Sequence, residues 1–467
     1  MSHRFKENAA LALADAKLQE ALAEMRSSFR GRHQAAARAL PEFEALRDHA
    51  KAVKQHTLAN LDYYLERFEA KVKEAGGQVH WCADAAEARK VVLAICRRAR
   101  ARTVTKGKTM VGEEIAINAH LEAHGIVPVE TDLGEYIIQL RGETPSHIIA
   151  PAIHVSKDGV ADTFRAHHAD LDPERPLGEI TAMLAEARGR LRARFLAADV
   201  GITGANFLIA ETGSSVIVTN EGNGDLTQIM PRVHIVLAGI EKVVPTLEDA
   251  TAILRILARS ATGQEMSVYT TVSTGPRRAQ DPDGPAEYHV VLLDNGRSAV
   301  LGTEFEEVLR CIRCGACMDH CPVYHAIGGH AYGSVYPGPI GAVLTPALFG
   351  LETAADLPNA STLCGRCESV CPMRIPLPKM LRRWRELSFE RHLPPARERW
   401  ALKAWAWLAQ RPRLYRLATG LAARLLRRPA TGRIRRLPLG AGWTRTRDFP
   451  APAGRTFQEQ WRRQQRG

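Results

Sequence analysis

The sequence predicts an α/β chain whose parallel sheet is preceded by a helical arm and followed by a mainly helical, ferredoxin-like cysteine segment and a basic tail. Three observations predict it. Between residues 76 and 296 short β-branched runs alternate with longer amphipathic stretches, the signature of strands joined by crossover helices. Before them, Leu11, Leu13, Leu18, Leu22 and Met25 recur at helical spacing in a segment rich in Ala, Glu, Lys and Arg. After them, seven of the nine cysteines fall within 61 positions, from Cys311 to Cys371.

Composition narrows the class of protein. At roughly 100–200 residues per domain, 467 residues predict two to four folded units. A hydrophobic fraction of 45% and a charged fraction of 24% exclude disordered, collagen-like and disulfide-scaffold chains. No apolar run approaches the ~18 residues of a membrane span, and MSHRFKENAA lacks the apolar stretch of a signal peptide. The expected location is therefore the cytoplasm. The net charge of +12 is unevenly distributed: residues 381 to 467 hold 22 Lys+Arg against 5 Asp+Glu, leaving the other 380 residues at −5. A segment of net +17 calls for an anionic partner, whether an acidic protein, a membrane surface or nucleic acid.

Taken in order, residues 1–75 read as an arm of two or three helices broken near Pro41, packing on the body through Tyr63, Tyr64 and Phe68. Gly76-Gly77 opens the α/β domain, 76–296. VHWC at 79–82 reads as a strand, ADAAEARKVVLAICRRA as a helix, TVT at 103–105 as a strand, GEEIAINAHLEAHG as one helix and VPVET as a strand. A helix follows near 176–196. FLIAE and SVIVTN flank Gly213-Ser214 as a hairpin. VHIVLAGI reads as a strand, LEDATAILRILARSA as a helix, and MSVYTTVS and EYHVVLLD as closing strands ending near Asn295-Gly296. The cysteine segment spans 297–385 and the basic region 386–467. There, 401–428 interleaves Trp405, Trp407, Leu414, Leu417, Leu421 and Leu425 with arginines, a basic amphipathic helix suited to a partner or an anionic surface.

In a compartment that keeps thiols reduced, clustered cysteines point to a metal centre rather than to disulfides. CIRCGACMDHCP places Cys311, Cys314, Cys317 and Cys321 at the CxxCxxCxxxCP spacing of bacterial ferredoxins. Zinc, the main rival, uses paired CxxC or Cys/His knuckles and does not require this run. STLCGRCESVCP repeats the pattern with Cys364, Cys367 and Cys371, Ser361 standing where Cys311 stands in the first run. In two-cluster ferredoxins the fourth cysteine of each run ligates the other cluster. Cluster one then takes Cys311, Cys314, Cys317 and Cys371, a complete set for a [4Fe-4S] cluster. Cluster two takes Cys321, Cys364 and Cys367, and is either [3Fe-4S] or [4Fe-4S] with an open or non-cysteine fourth site such as Ser361 or an exogenous group.

Other motifs carry less. KGKT at 106–109 lacks the first glycine of a phosphate loop, GNGDLT is not GxGxxG, and HLEAH is not HExxH. Cys82 and Cys96 sit in apolar contexts where free cysteine is a small buried hydrophobe.

With these motifs placed, the chain resembles the lactate-utilisation iron–sulfur protein B family. The resemblance is carried by VTKGKTMVGEEIAIN, PVETDLGEYIIQLRGETPSHIIAPAIH, ETGSSVIVTNEGNGD, CIRCGACMDHCPVYHAIGGHAYGSVYPGPIGAVLTP and LCGRCESVCP. It implies that the α/β part is a LUD domain, related in fold to sugar-phosphate isomerases and CoA transferases. It also implies two iron–sulfur clusters, a three-cysteine second run, and electron transfer alongside two sister subunits in the oxidation of L-lactate to pyruvate. No flavin or nicotinamide motif is evident, so the C–H bond is expected to break elsewhere. In the alternative the LUD domain is itself a catalyst on an acyl or sugar-acid substrate, using the polar loops Thr105–Lys108, Asp132–Glu135 and Glu211–Asn223. The tail lacks a nucleic-acid-binding signature. A sister subunit is its expected partner, with an anionic membrane face as the alternative.

Overall fold

The computed structural model describes residues 4–427, 432–437, 440–444 and 447–465. The chain divides into a first compact unit ending at Leu387 and a second beginning at Ser388.

Ten strands build the first unit: β1 (Gln78–Cys82), β2 (Thr103–Gly107), β3 (Val127–Glu130), β4 (Val200–Thr203), β5 (Phe207–Ile209), β6 (Ser214–Thr219), β7 (Val233–Gly239), β8 (Val243–Val244), β9 (Tyr269–Ser273) and β10 (Glu287–Leu293). Six form an all-parallel sheet in the order β1-β10-β7-β4-β2-β3. Such sheets are covered on both faces, so their strands read as near-continuous apolar runs. Val233, Ile235, Leu237, Val291 and Leu293 face one core with Val92, Ile95 and Cys96 of the helix Ala85–Arg98. Val236, Ala238, Val290 and Leu292 face the opposite core with Leu65, Phe68 and Val72. Truncating the fully buried Phe68 to Ala removes ~3–5 kcal/mol.

β5, β6, β8 and β9 form a second, mixed sheet in the order β8-β5-β6-β9. The expected hairpin is present, Phe207 facing Val216 across an antiparallel pair, but it is the centre of this second sheet. The other departures are local. The arm has four helices, α1 (Phe5–Ala14), α2 (Ala16–Arg38), α3 (Phe43–Ala59) and α4 (Leu61–Glu74), because Asp15 caps α2 by accepting from Leu18 N at 3.0 Å. The stretch expected as one helix over 112–125 is split into Met110–Glu114 and Ile117–Glu122 by Ala116, whose φ of 50° is incompatible with a continuous helix. EYHVVLLD does not close an edge; β10 lies between β1 and β7.

The arm grips the cysteine segment. Along α2, Gln19 donates to the Ala326 carbonyl at 2.8 Å and Arg30 to that of Asp319 at 3.0 Å. From the α/β side, buried His147 meets buried Asp319 at 3.0 Å. The packing of the arm thus reaches the first cysteine run at Asp319 and the segment just after it at Ala326.

In the second unit the described part of the stretch expected as one helix, 401–427, forms two helices, Ala396–Ala409 and Pro412–Leu425. Pro412 starts the second, where its missing N–H costs nothing. Trp400, Trp405 and Trp407 remain 54% or more exposed. A short antiparallel pair, Arg433–Ile434 with Phe449–Pro450, and the helix Phe457–Gln464 follow. Arg428, Arg445 and Arg466 of the basic region lie outside the described residues. Among the described residues no helix is long and apolar enough to cross a membrane.

Candidate metal centre

The two cysteine runs share one backbone. Each passes twice through the left-handed region, at Arg313 (φ 59°) and Gly315 (79°) in the first and at Leu363 (53°) and Gly365 (81°) in the second. A one-turn helix follows each, Ala316–Asp319 and Arg366–Ser369. Glycine makes the second turn without steric cost, and the succession of turns curls each run around its own thiols. The equivalence extends to hydrogen bonds: Cys311 Sγ accepts from Arg313 N at 3.4 Å, and Ser361 Oγ accepts from Leu363 N at 3.1 Å. At the far ends, Cys321 Sγ accepts from Tyr324 N and Cys371 Sγ from Ile375 N, both at 3.5 Å. Backbone N–H groups aimed at sulfur are among the features that tune iron–sulfur centres.

Cys371 lies with the first run. Cys311, Cys314, Cys317 and Cys371 line one small cavity of about 20 Å³, shared with Arg313 and with apolar groups including Ile148, Ile312, Ile340 and Met373. Burial, then the neighbouring Cys371 and Cys311, push the Cys314 thiol far above its ordinary range. Burial pushes Cys371 up to about 11. Cys367 is raised to about 12 by burial, then by Cys321 and Cys364, which marks those three as a second group. Cys317 feels Cys367 as well, so the groups adjoin. Cys364 alone is exposed, its pKa lowered first by the hydrogen bond from the Arg366 backbone.

These donors fit iron–sulfur clusters. Among the described residues no three His, Cys, Asp or Glu side chains converge on a single-ion site, whereas zinc requires its ligands ~2.0–2.3 Å from one centre. Four of the thiols line one shared cavity instead. Dry thiols this close resist ionising together, and each becomes a thiolate only where a positive centre compensates it.

Buried cations stand around the first group. Arg47 on α3 donates to the Cys371 carbonyl at 2.7 and 3.2 Å and to that of Ser369 at 2.9 Å. Lys54 on the same helix donates to the carbonyls of Glu241 and, at 3.2 Å, Val243. Burial pulls the Lys54 ammonium down to about 7. Arg313 lies 4.4 Å over the Tyr336 ring and 3.5 Å from Glu241. Burial opposes its charge, and Cys311, Tyr336 and Glu241 together outweigh that effect. Glu241 is anchored by Arg297 Nε at 2.7 Å, whose terminal nitrogens hold Glu114 at 2.9 and 2.7 Å. Although burial pushes the Glu241 carboxyl up, Arg297 and Arg313 hold it at about 2.

A second cavity opens at the C-terminal ends of β2, β4 and β7. Of the polar loops singled out in the sequence, Lys108, Asp132, Glu135 and Glu221 line it. Glu211 does not; it accepts from Leu247 N at 3.2 Å. Lys106 is consumed in ion pairs with Glu113 at 2.6 Å and Glu130 at 2.8 Å. The His120 and His124 rings lie 4.6 Å apart, tilted at 55°, and Cys82 and Cys96 are buried in the apolar core. Sequence reasoning missed Arg47, Lys54, Glu241 and Arg297, none of which lies in a motif.

Comparison with known proteins agrees with this architecture. Residues 65–293 match the LUD domain, 307–375 the 4Fe-4S dicluster domain and 390–466 the C-terminal domain of lactate utilisation protein B. Lactate utilization protein B of Lysinibacillus sphaericus (strain C3-41) is 41% identical, the alignment covering 100% of this chain and 98% of that protein. The protein of the same name from Anoxybacillus flavithermus is 43% identical over 98% and 97%, and that from Geobacillus sp. (strain WCH70) 45% over 92% and 91%. Identity at this level along the full length of both chains shows that this chain belongs to the lactate utilization protein B family.

Proposed function

We propose that the chain is the iron–sulfur electron-transfer subunit of a multi-subunit system that oxidises L-lactate to pyruvate. The observation that carries the reading is the pair of cysteine runs with matching left-handed turns, four of whose thiols line one cavity. When bound, two clusters supply one-electron transfer. The ligand assignment is Cys311, Cys314, Cys317 and Cys371 for a [4Fe-4S] cluster one, and Cys321, Cys364 and Cys367 for cluster two. Ser361 is the fourth ligand proposed for cluster two, because its oxygen takes the same N–H bond that Cys311 takes in the first run.

The surrounding residues hold and insulate. Arg47 fixes the carbonyls of Ser369 and Cys371, and Arg313, Lys54 and Lys242 set positive charge beside Cys311. The exposed Cys364 puts cluster two on the side open to a redox partner. The second unit, with its surplus of arginine and exposed tryptophans, is the docking element for the sister subunits; Trp and Arg are the residues that most often anchor interfaces. Its test is anaerobic purification with and without those subunits. L-lactate should reduce the clusters only in the assembled preparation, and turnover by the single chain with an artificial acceptor would overturn the assignment.

A further inference from the structure

The cavity at the C-terminal edge of the parallel sheet lies where an open α/β sheet takes its ligands. From β2 the chain moves outward to β3 and then returns across β2 to β4, so strand order reverses between β2 and β4. Ligands bind in the crevice beyond the carboxyl ends of the strands at such a reversal. Lys108 and Thr109, which follow β2, and Gly204 to Asn206, which follow β4, line the cavity. Gly204 permits the approach: a Cβ there would stand 2.4 Å from the Lys108 carbonyl oxygen. The cavity holds about 200 Å³ and opens to solvent.

Its far wall comes from the cysteine segment. Arg313 and Cys314 line this cavity, and the same two residues line the cavity of the four thiols. The turn of the first run, with Ile148, forms the wall that the two spaces share. The Arg313 side chain is 10% exposed, and its Nη1 is buried without a hydrogen-bond partner. Beside it Lys242, 9% exposed, lines the cavity and forms no hydrogen bond or ion pair among the described residues. A buried donor left unmatched, as Arg313 Nη1 is, is costly, and more so when the group is charged. Lys108, the third cation of the lining, is already paired with Asp132 and Glu221.

We propose that this cavity binds a small organic monocarboxylate, its carboxylate on Arg313 and Lys242 and its body against the apolar wall of Val111, Ile148, Ile149, Leu237 and Leu257. The guanidinium offers the planar fork that matches a carboxylate. The lining favours one negative charge over two. Asp132, Glu221 and Glu241 face the same space as the three cations, so a phosphate dianion would meet acids where a monoanion meets a neutral hydrocarbon surface. Glu135, pushed up to about 8 by burial and then by Glu130 and Asp132, lines the same space and adds a polar group for a hydroxyl or carbonyl oxygen. A ligand seated there lies one loop away from cluster one.

The inference goes beyond the electron-transfer reading, and its test separates the two. L-lactate, pyruvate, hexanoate and inorganic phosphate are titrated calorimetrically into the anaerobically purified full chain, which reports binding whether or not clusters are present. The EPR spectrum of the reduced protein is recorded with and without each probe. At least one carboxylate should bind saturably and more tightly than phosphate, and should perturb the cluster spectrum. Lys242→Gln should weaken that binding tenfold or more, the scale of a lost charge-assisted hydrogen bond, with iron and sulfide content unchanged, and Lys242→Arg should restore it. Arg313→Lys, which keeps the charge but loses the fork, is the second variant and should weaken binding as well. No saturable binding of any of the three carboxylates, tighter binding of phosphate, or affinity indifferent to both side chains would overturn the proposal. Absence of clusters from a chain that still binds carboxylate would overturn the electron-transfer reading alone.

Discussion

Arg297→Met tests the polar network that fixes the floor of the large sheet beneath the cysteine segment. Arg297 is 1% exposed and joins two buried carboxylates, Glu114 and Glu241; Tyr336 and Asn295 complete the shell of Glu114. Removing one partner of a buried ion pair costs ~3–5 kcal/mol, because the stranded charges remain desolvated. The Glu241 carboxyl gives an independent figure. Against burial, Arg297 and Arg313 hold it at about 2 rather than its ordinary 4.5, which corresponds to ~3 kcal/mol at 1.36 kcal/mol per pKa unit. Because the folded pKa is depressed, that contribution is fully present above pH 4.5 and is lost as pH falls toward 2. In the variant, burial without Arg297 raises both carboxyls, so the folded state takes up protons and the deficit shrinks on acidification. Thermal unfolding, followed anaerobically by circular dichroism, should show a midpoint ~6–20 °C lower at pH 8, at ~2–4 °C per kcal/mol for a domain of this size, and a smaller gap at pH 6. A midpoint within 2 °C of the parent, or a gap that widens at pH 6, would refute the reasoning.

Arg47→Ala strips the Cys371 and Ser369 carbonyls of their donors; bound iron should fall more readily on dilution than in an Arg382→Ala control, whose parent side chain is exposed, and equal retention would contradict the role given to Arg47. Ser361→Ala should shift the EPR signal of the second cluster toward a [3Fe-4S] form and Ser361→Cys should give a fully cysteine-ligated spectrum, whereas unchanged spectra would remove Ser361 as a ligand. Oxygen or ferricyanide should destroy cluster two before cluster one, since only Cys364 among the seven thiols is exposed; the reverse order in a timed iron-release assay would count against it. Deleting residues 391–467 should leave both clusters intact while abolishing co-purification with the sister subunits at low salt, where exposed charges act over ~10 Å or more. Normal assembly of that deletion combined with loss of binding to anionic vesicles would transfer the tail to a membrane role.

What could be read from the sequence was what depends on short-range pattern. Cysteine spacing announced two runs and the substitution at Ser361, because the chemistry of a cluster is written within a dozen residues. The strands β7 and β10 stood out as unbroken apolar runs because both faces of a parallel sheet are covered. The helix break at Ala116 was invisible, since alanine is the strongest helix former and only tertiary packing sets its φ of 50°. The second sheet was missed for a related reason: β8 has two residues, too few for any periodicity. Arg47, Lys54 and Arg297 were equally hidden. Arg47 meets Cys371 across 324 positions and Lys54 meets Glu241 across 187, and a lone basic residue on a helix reads as solvated surface. Of the stretches expected as loops, Thr105 to Gly107 lie within β2, while Lys108, Asp132 and Glu135 line the cavity beyond the strand ends. That Arg313 completes their cavity could not be inferred, because it depends on how the cysteine segment docks against the sheet.

The measurement that bears most directly on the account is the spectroscopy of Cys371→Ser, purified anaerobically as the full chain and examined by EPR and Mössbauer spectroscopy beside the parent. Cys371 follows Cys311 by sixty positions yet lines the same cavity. The account predicts that the signal of cluster one is lost or altered while that of cluster two, on Cys321, Cys364 and Cys367, persists. A variant in which only the second cluster changes, or a parent that carries zinc and no acid-labile sulfide, would contradict it.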